Sequence, residues 1–546
     1  MISKLVKGAF LNSRPTRSVA GAALIISLAG IASRLLGLFR DRILAATFGA
    51  GDVLDIYYAA FRIPDLVYNL LILGALSAAF IPVFTELITK NKEEEAWKAA
   101  NGLLSVQIVG MGILAAVLAI FAPQIMRLMT PGFGAEKMEA VTHFTRIMFL
   151  SPILLGISGI FGGILVSLKK FLIYSLAPIF YNIGIIIGAL VLVPLLGPIG
   201  LAWGVVFGAF LHMLVQYPAV KRSGFSVLRY PGQAISDKNV RQIGKLMLPR
   251  MLGIAVSQVS LLVITVFAST MASGSLAVFY LANNIQSAPL GLFGISFAIA
   301  VFPTLSALAA KSQSAEFSLV ITKTLRQILF FVIPASAMIF VLRAQIVRVV
   351  LGSGKFDWED TILTFQTLGI LVGSLFAQSL IPLFTRAFYA LQDTRTPLYI
   401  ALFAEALTIG GLLFLAKPLG VYGLALAFSL SSLAHMVLLA ACLKKRSGGI
   451  FSAQTWQATG RIVLATAIAA SMAQLGKVIV GTKGELDTFV EVLTQLAVAL
   501  SMGAGAFALA SHYLGIEEFF RLMHSVSRKV FQYRKNIRET TEEVAL

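Results

Sequence analysis

The chain has 546 residues, 58% hydrophobic and 13% charged, with a mean hydropathy of +0.87. Globular domains carry roughly 25% charged residues, so this composition excludes a string of soluble domains and specifies a polytopic membrane protein. The net charge of +19 suggests nucleic acid in a soluble chain, but in lipid the question is where the charge sits. The single cysteine, Cys442, excludes a disulfide framework and cysteine-based zinc or iron–sulfur sites; no cofactor, metal or nucleic-acid partner is expected.

Residues 1–18 carry Lys4, Lys7, Arg14 and Arg17 without a long apolar core, and read as a basic cytoplasmic leader rather than a cleaved signal. Fourteen apolar runs follow, near 19–47, 53–88, 98–129, 139–167, 173–196, 199–220, 242–271, 275–308, 317–350, 361–390, 396–416, 420–443, 457–480 and 487–513. Each is continuous and about 20 residues or longer, as a membrane helix requires, and none alternates as a barrel strand does. Glycine- and proline-bearing breaks such as Gly49-Ala50-Gly51-Asp52, Gly197-Pro198 and Asp393-Thr394-Arg395-Thr396-Pro397 separate them. With the N-terminus inside, alternate crossings leave 26 Lys and Arg in cytoplasmic segments and five outside (Lys137, Lys355, Lys417, Lys477 and Lys483). The positive-inside rule therefore predicts both termini in the cytoplasm.

An internal repeat is visible. Gly197-Pro198-Ile199-Gly200-Leu201-Ala202 returns as Gly420-Val421-Tyr422-Gly423-Leu424-Ala425, and His212-Met213 as His435-Met436, both at a shift of 223. Ala79-Phe80-Ile81-Pro82 resembles Ala300-Val301-Phe302-Pro303 at a shift of 221. Predicted helices 1–6 and 7–12 thus read as parallel copies of one six-helix unit, an arrangement found in transporters that alternate access around a central site. The predicted organisation is a leader (1–18), an N-lobe (19–222), a cytoplasmic linker (223–241), a C-lobe (242–446), two extra helices (447–515) and a basic cytoplasmic tail (516–546). The two repeated histidines lack a carboxylate at ligand spacing and read as interfacial or packed.

Charges inside a membrane helix are costly and face a cavity or one another. Predicted helix 1 holds Arg34, Arg40, Asp41 and Arg42, with Asp41 seven residues beyond Arg34 and so on its face; helix 2 holds Asp55, Arg62 and Asp65. Arg34 and Arg62 read either as substrate contacts or as salt-bridge partners fixing helices 1 and 2. Arg250, after Pro249, either faces a cavity or snorkels to the inner surface. Asn283 and Asn284 are a polar pair in helix 8. Glu405, deep in helix 11, is a candidate ion-coupling site or a paired, packed acid. Gly352-Ser353-Gly354-Lys355 lacks the spacing of a nucleotide-binding loop, and no HExxH or GxSxG motif occurs, so neither direct ATP drive nor an enzyme is indicated.

At Ser33-Arg34-x-Leu36-Gly37-x-x-Arg40-Asp41, Phe48-Gly49-Ala50-Gly51-x-x-x-Asp55, Ala60-Phe61-Arg62-Ile63-Pro64-Asp65, Gly74-Ala75-x-Ser77-x-Ala79-Phe80-x-Pro82, Pro289-Leu290-Gly291-x-Phe293-Gly294 and Gln392-Asp393-Thr394-x-Thr396-Pro397 the chain resembles the MurJ/MviN family of lipid II flippases, within the multidrug/oligosaccharidyl-lipid/polysaccharide exporter superfamily. The resemblance covers nearly the full length. It implies movement of undecaprenyl-pyrophosphate-linked peptidoglycan precursor to the outer leaflet of the bacterial inner membrane by alternating access. It further implies a cationic cavity for the headgroup, a lipid-tail groove on helices 13 and 14, and cell-wall synthesis enzymes as candidate partners. Arg34, Arg40, Asp41, Asp55 and Arg62 carry over as substrate-binding candidates, joined by Arg250 and Asn284. The chain departs from the family pattern at Tyr68, Asn69 and Leu73, where an arginine pair and a glutamate are common, and at Ala282-Asn283-Asn284, where Ala-Asp-Arg is usual. Two cavity arginines are thereby missing, and Arg250 is a candidate replacement for one. The competing readings are an exporter of another polyprenyl-linked glycan or of amphipathic compounds, and a non-transporting cell-wall scaffold.

Overall fold

The computed structural model describes residues 19–71, 77–226, 237–447, 452–482, 488–525 and 527, without the side chains of 19–24, 77–78, 248–250, 252–257 and 447. The basic leader, Leu73, the side chain of Arg250 and the tail beyond 527 lie outside the described residues. All regular structure among the described residues is helical. In chain order the helices are α1 (Val19–Phe48), α2 (Asp52–Tyr68), α3 (Ser77–Thr89), α4 (Glu93–Ile120), α5 (Ala122–Met129), α6 (Ala135–Met148), α7 (Leu150–Ser167), α8 (Phe171–Ile187), α9 (Val193–Leu196), α10 (Gly200–Arg222) and α11 (Lys238–Ser269). They continue as α12 (Ser275–Pro289), α13 (Ser296–Ala310), α14 (Ser314–Val341), α15 (Arg343–Val350), α16 (Trp358–Gly373), α17 (Leu375–Ala390), α18 (Arg395–Leu419), α19 (Val421–Ser447), α20 (Ala453–Gly481) and α21 (Phe489–Tyr513), with a last short helix α22 over 517–525.

Helix occupies each of the fourteen predicted runs. Among the described residues, ten helices are long and apolar enough to cross a membrane, or eleven if α16 and α17, bent by 43°, form one span. The runs that fall short of this measure are those of α1, of α2 with α3, and of α11, and they contain Arg34, Arg40, Asp41, Asp55, Arg62 and Arg250. The figure of fourteen crossings rests on the sequence.

The repeat is written into the backbone more legibly than into the side chains. Helices α4 and α5 return as α14 and α15 with both ends displaced by 221 residues. Among the described residues, the four non-glycine residues with positive φ form two pairs at the repeat shifts: Asn91 (56°) with Ser312 (56°), and Lys169 (59°) with Gln392 (60°). The left-handed region is unfavourable for such residues, so its use at matched helix ends marks the same chain reversal made twice. Wide π-type turns recur as well, over 69–71 and at Leu290–Ile295.

The chain packs as two compact units, one of residues 1–281 with Val350–Leu363 and Thr408–Ala427, the other of Ala282–Val349, Thr364–Leu407 and 428–546. Segment 350–363 joins the first unit by hydrogen bonds at and just beyond the end of α1, where Lys355 N donates to the Ala46 carbonyl at 2.8 Å and Ala50 N donates to the Asp360 side chain (Oδ2, 2.8 Å). The core of the first unit centres on Phe80, Phe84, Leu104, Phe161 and Ile164, and that of the second on Leu305, Ile321, Leu325, Phe384 and Phe388. In the second unit, α20 and α21 dock on α14 and α15 through Phe330 against Phe507 (ring centroids 5.4 Å apart) and Gln345 Nε2 donating to Gln495 Oε1 at 2.9 Å.

Between α8 and α10 no hydrophobic effect drives association, because lipid is as apolar as the helices; close packing must do so. Gly184 and Gly188 supply it by meeting Gly208 and Gly204 backbone to backbone, leaving no room for a Cβ on either side. Replacing Gly204 with Leu is expected to destabilise the protein by about 2 kcal/mol or more through overpacking, read as a lower melting temperature in detergent. An unchanged melting temperature would show that this crossing is not tight.

Candidate functional site

The predicted charges of the first copy fall into three clusters within the first unit. At the end of α1, Arg40 donates from Nε and Nη2 to Asp41 Oδ1 (3.0 and 2.7 Å) and from Nη1 to Asn182 Oδ1 on α8 (3.0 Å). Asn182 in turn donates from Nδ2 to the Pro178 carbonyl at 3.1 Å, a group near a proline-interrupted stretch of α8. Asp41 is 2% exposed. The three side chains together pin α1 against α8. Arg34, seven residues before Asp41, is exposed.

Asp55 in the first turns of α2 is 3% exposed and holds together three parts of the chain. Its Oδ2 accepts from Gly274 N (2.8 Å) and from Lys137 Nζ (3.0 Å), while Oδ1 accepts from Ala277 N (2.9 Å). It therefore caps the start of α12 from another helix, satisfying amide donors that no helical carbonyl can reach. Lys137 also donates to Asp52 Oδ1 at 2.6 Å, and Ser273 Oγ donates to the same oxygen at 2.6 Å. Hydrogen bonds from Lys137 and then Ser273 hold the Asp52 carboxyl below its ordinary range. This contribution is present above about pH 4, the usual carboxylate value, and is lost as pH falls through the lowered one. Lys137 was legible in the sequence only as one of five outside cations; the signal for it was the Asp52/Asp55 pair, which needs a counter-charge.

Arg62 occupies a third setting, in the middle of α2. Its guanidinium lies over the Tyr280 ring, 4.5 Å from the centroid, and Nη2 is 3.9 Å from Asp65 Oδ2. Tyr280 stacks on Tyr58 (centroids 5.3 Å apart, planes at 23°) and shares a 3.2 Å hydrogen bond with Thr265. The Arg62 Nε is buried without a hydrogen-bond partner. Such a cation is held by an aromatic face and a carboxylate beyond hydrogen-bond distance, so its bonding capacity is largely unspent. Beside it lies a cavity of about 180 Å³ lined by Asp65, Tyr68, Ser151, Tyr181 and His212 among others. Sequence reasoning took His212 as a packed or interfacial side chain; its Nδ1 lies 2.7 Å from Ser158 Oγ, which also receives Gln216 Nε2 at 2.5 Å.

The second-copy candidates are sparser. Arg250 lies on α11, its side chain outside the described residues. Asn283 accepts from Gln286 Nε2 at 3.0 Å and Asn284 is half-buried on α12; Glu405 is half-buried on α18. Among the described residues no group of three or more His, Cys, Asp or Glu gathers as a metal site would.

An all-helical chain of at least ten membrane-length helices, with two backbone copies of one unit and a few arginines set into the first, is a polytopic membrane transporter. Solved structures with this fold include a lipid II flippase MurJ in an inward closed conformation (TM-score 0.74, 24% identity, 90% of this chain and 99% of that one). A multidrug resistance MATE family transporter of the MOP superfamily, inward-facing, matches at TM-score 0.64 and 15% identity over 76% of this chain and 95% of that one. The family model described as lipid II flippase MurJ matches residues 44–510. A probable lipid II flippase MurJ of Vibrio cholerae is 32% identical over 429 residues, 77% of this chain and 81% of that protein. The chain belongs to the MurJ family of lipid II flippases.

Breaking the Asp55 tie leaves a buried charge or unmet amides. Asp55→Asn and Lys137→Met are each expected to cost about 3 kcal/mol, and the double variant less than the two losses together because they share one interaction. Melting curves of the purified protein test this; additive losses would show that Asp55 and Lys137 act separately.

Proposed function

We propose that the protein is a flippase carrying lipid II, the undecaprenyl-pyrophosphate-linked peptidoglycan precursor, from the inner to the outer leaflet. The observation that carries this reading, in a chain of the MurJ family, is the state of Arg62: a nearly buried guanidinium whose one carboxylate partner stands at 3.9 Å. A pyrophosphate presents oxygens that match the planar guanidinium fork in pairs and displaces Asp65 at little cost. Arg62 and exposed Arg34 take the phosphates in this account, with Arg250 and Asn284 on the second copy and Glu405 as the candidate for ion coupling. Arg40, Asp41 and Asp55 serve by holding α1, α2 and α12 in place. A cation exporter needs acids where this chain places arginines.

The protein sits in the bacterial inner membrane with both termini in the cytoplasm, acts as a transporter and not as an enzyme, and hands its cargo to cell-wall synthesis enzymes outside. Residues 447–515 supply the surface for the polyprenyl tail, which stays in lipid while the headgroup crosses by alternating access.

The test is complementation in a bacterium depleted of its own lipid II flippases, reading lipid II exposure at the outer leaflet. The chain is expected to restore exposure, and Arg62→Ala to lower it at least about tenfold at equal protein level, the loss of one charge-assisted bond pair. A correctly inserted chain that restores nothing contradicts the reading. Asp65→Asn, which frees Arg62 of its counter-ion, is expected to tighten headgroup binding; weaker binding would make Asp65 a direct ligand instead.

A further inference from the structure

A second polar cavity, about 310 Å³, opens in the second unit where α14, the start of α20 and the 517–525 helix meet. It is lined by Arg326, Gln454, Gln457, Arg461, Glu517 and Glu518. Residues 447–515 are proposed above to carry the polyprenyl tail, but no headgroup or ion-coupling role is given there to these polar side chains. Arg326 donates from Nη2 to Glu517 Oε2 at 3.0 Å and pairs through Nε with Glu518 Oε1 at 2.7 Å; Glu517 is also paired with Arg521. Glu518 is 7% exposed, and its Oε2 is buried without a hydrogen-bond partner. Arg461, which also lines the cavity, is exposed and makes no ion pair among the described residues. The cavity thus offers one buried carboxylate oxygen without a hydrogen-bond donor, on an acid already paired with Arg326, and one exposed cation among its lining residues. A buried polar atom left without a hydrogen bond is costly, so this arrangement is suited to a ligand that brings an N–H donor for Glu518 Oε2 and an anion for Arg461.

The level of the cavity in the membrane identifies the ligand's source. Trp456, 65% exposed, and Tyr513, 84% exposed, stand at the adjoining ends of α20 and α21, with Phe520 and Met523 exposed on α22. Exposed tryptophan and tyrosine at the ends of apolar spans mark the headgroup layer of a bilayer. Beyond Arg461 the α20 sequence runs apolar, Ile462-Val463-Leu464-Ala465. A headgroup docked here keeps its chains in lipid beside α20.

We propose that this cavity binds the headgroup of a zwitterionic phospholipid bearing a primary ammonium, of the phosphoethanolamine type. The ammonium donates to Glu518 Oε2, and the phosphate meets Arg461 with Gln454 and Gln457 as further donors. A quaternary ammonium has no N–H to give Glu518, and an anionic headgroup without an amine leaves Glu518 Oε2 without a donor beside a new negative charge. The site is separate from the Arg62 cluster and stands whether or not lipid II is the cargo.

The full-length protein, purified in detergent, is titrated with phosphatidylethanolamine, phosphatidylcholine and phosphatidylglycerol of identical chains, and retained lipid is counted by native mass spectrometry. Phosphatidylethanolamine is expected to bind about tenfold more tightly than either alternative, the scale of one charged hydrogen bond. Glu518→Gln and Arg461→Ala should each abolish that preference; Arg461 is exposed, so its loss does not threaten folding. Equal binding of the three lipids, a preference for phosphatidylglycerol, or a phosphatidylethanolamine preference that survives both substitutions overturns the proposal.

Discussion

A charge placed in a membrane helix must be answered within reach of its own side chain, because lipid supplies neither water nor counter-ions. That constraint organises the first unit. Asp41 is answered by Arg40, which reaches on to Asn182; Asp55 is answered by Lys137 and two amides at the start of α12. These answers fix α1 to α8 and α2 to α12, and they consume the bonding capacity of the groups involved. Arg62 is answered only by a ring face and a distant carboxylate. The difference separates charges that hold the fold from those we propose act on the cargo.

The two copies show how one backbone serves two purposes. Helix ends, left-handed reversals and one wide turn recur at shifts of 221 and 223 residues, although the wide turn at Gly188–Leu192 has no counterpart in α18, so much of the geometry was duplicated. The charges were not. Arg34, Arg40, Asp41, Asp55 and Arg62 have no counterparts of equal density in α11 and α12, where Asn283 and Asn284 stand instead.

Much of this was legible in the sequence because membrane helices announce themselves by length and apolarity, and because a repeat needs only a few matches at one shift. The all-helical class, the places of the helices and the family all follow from such signals. The roles of the charges were less legible. Spacing placed Arg34 and Asp41 on one helical face, yet Arg34 is exposed and Asp41 buried, since what packs against a helix changes from one turn to the next. Asp55 read as a cavity group, whereas its partners, Lys137 and the amides of Gly274 and Ala277, lie 82, 219 and 222 residues away. No periodicity carries that distance. The Arg326, Glu517 and Glu518 cluster is illegible for the same reason: Arg326 on α14 and the two acids on α22 are 191 or more residues apart and form no motif.

The central proposal is that the arginines of α1 divide by role, Arg40 holding α1 to α8 and Arg34, like Arg62, meeting cargo. The direct measurement is transbilayer movement of labelled lipid II in proteoliposomes, paired with the melting temperature of the same preparations. Arg34→Ala should keep the wild-type melting temperature and lose flipping, while Arg40→Ala should lower the melting temperature. Flipping undiminished in Arg34→Ala, or Arg40→Ala inactive at an unchanged melting temperature, would contradict the account.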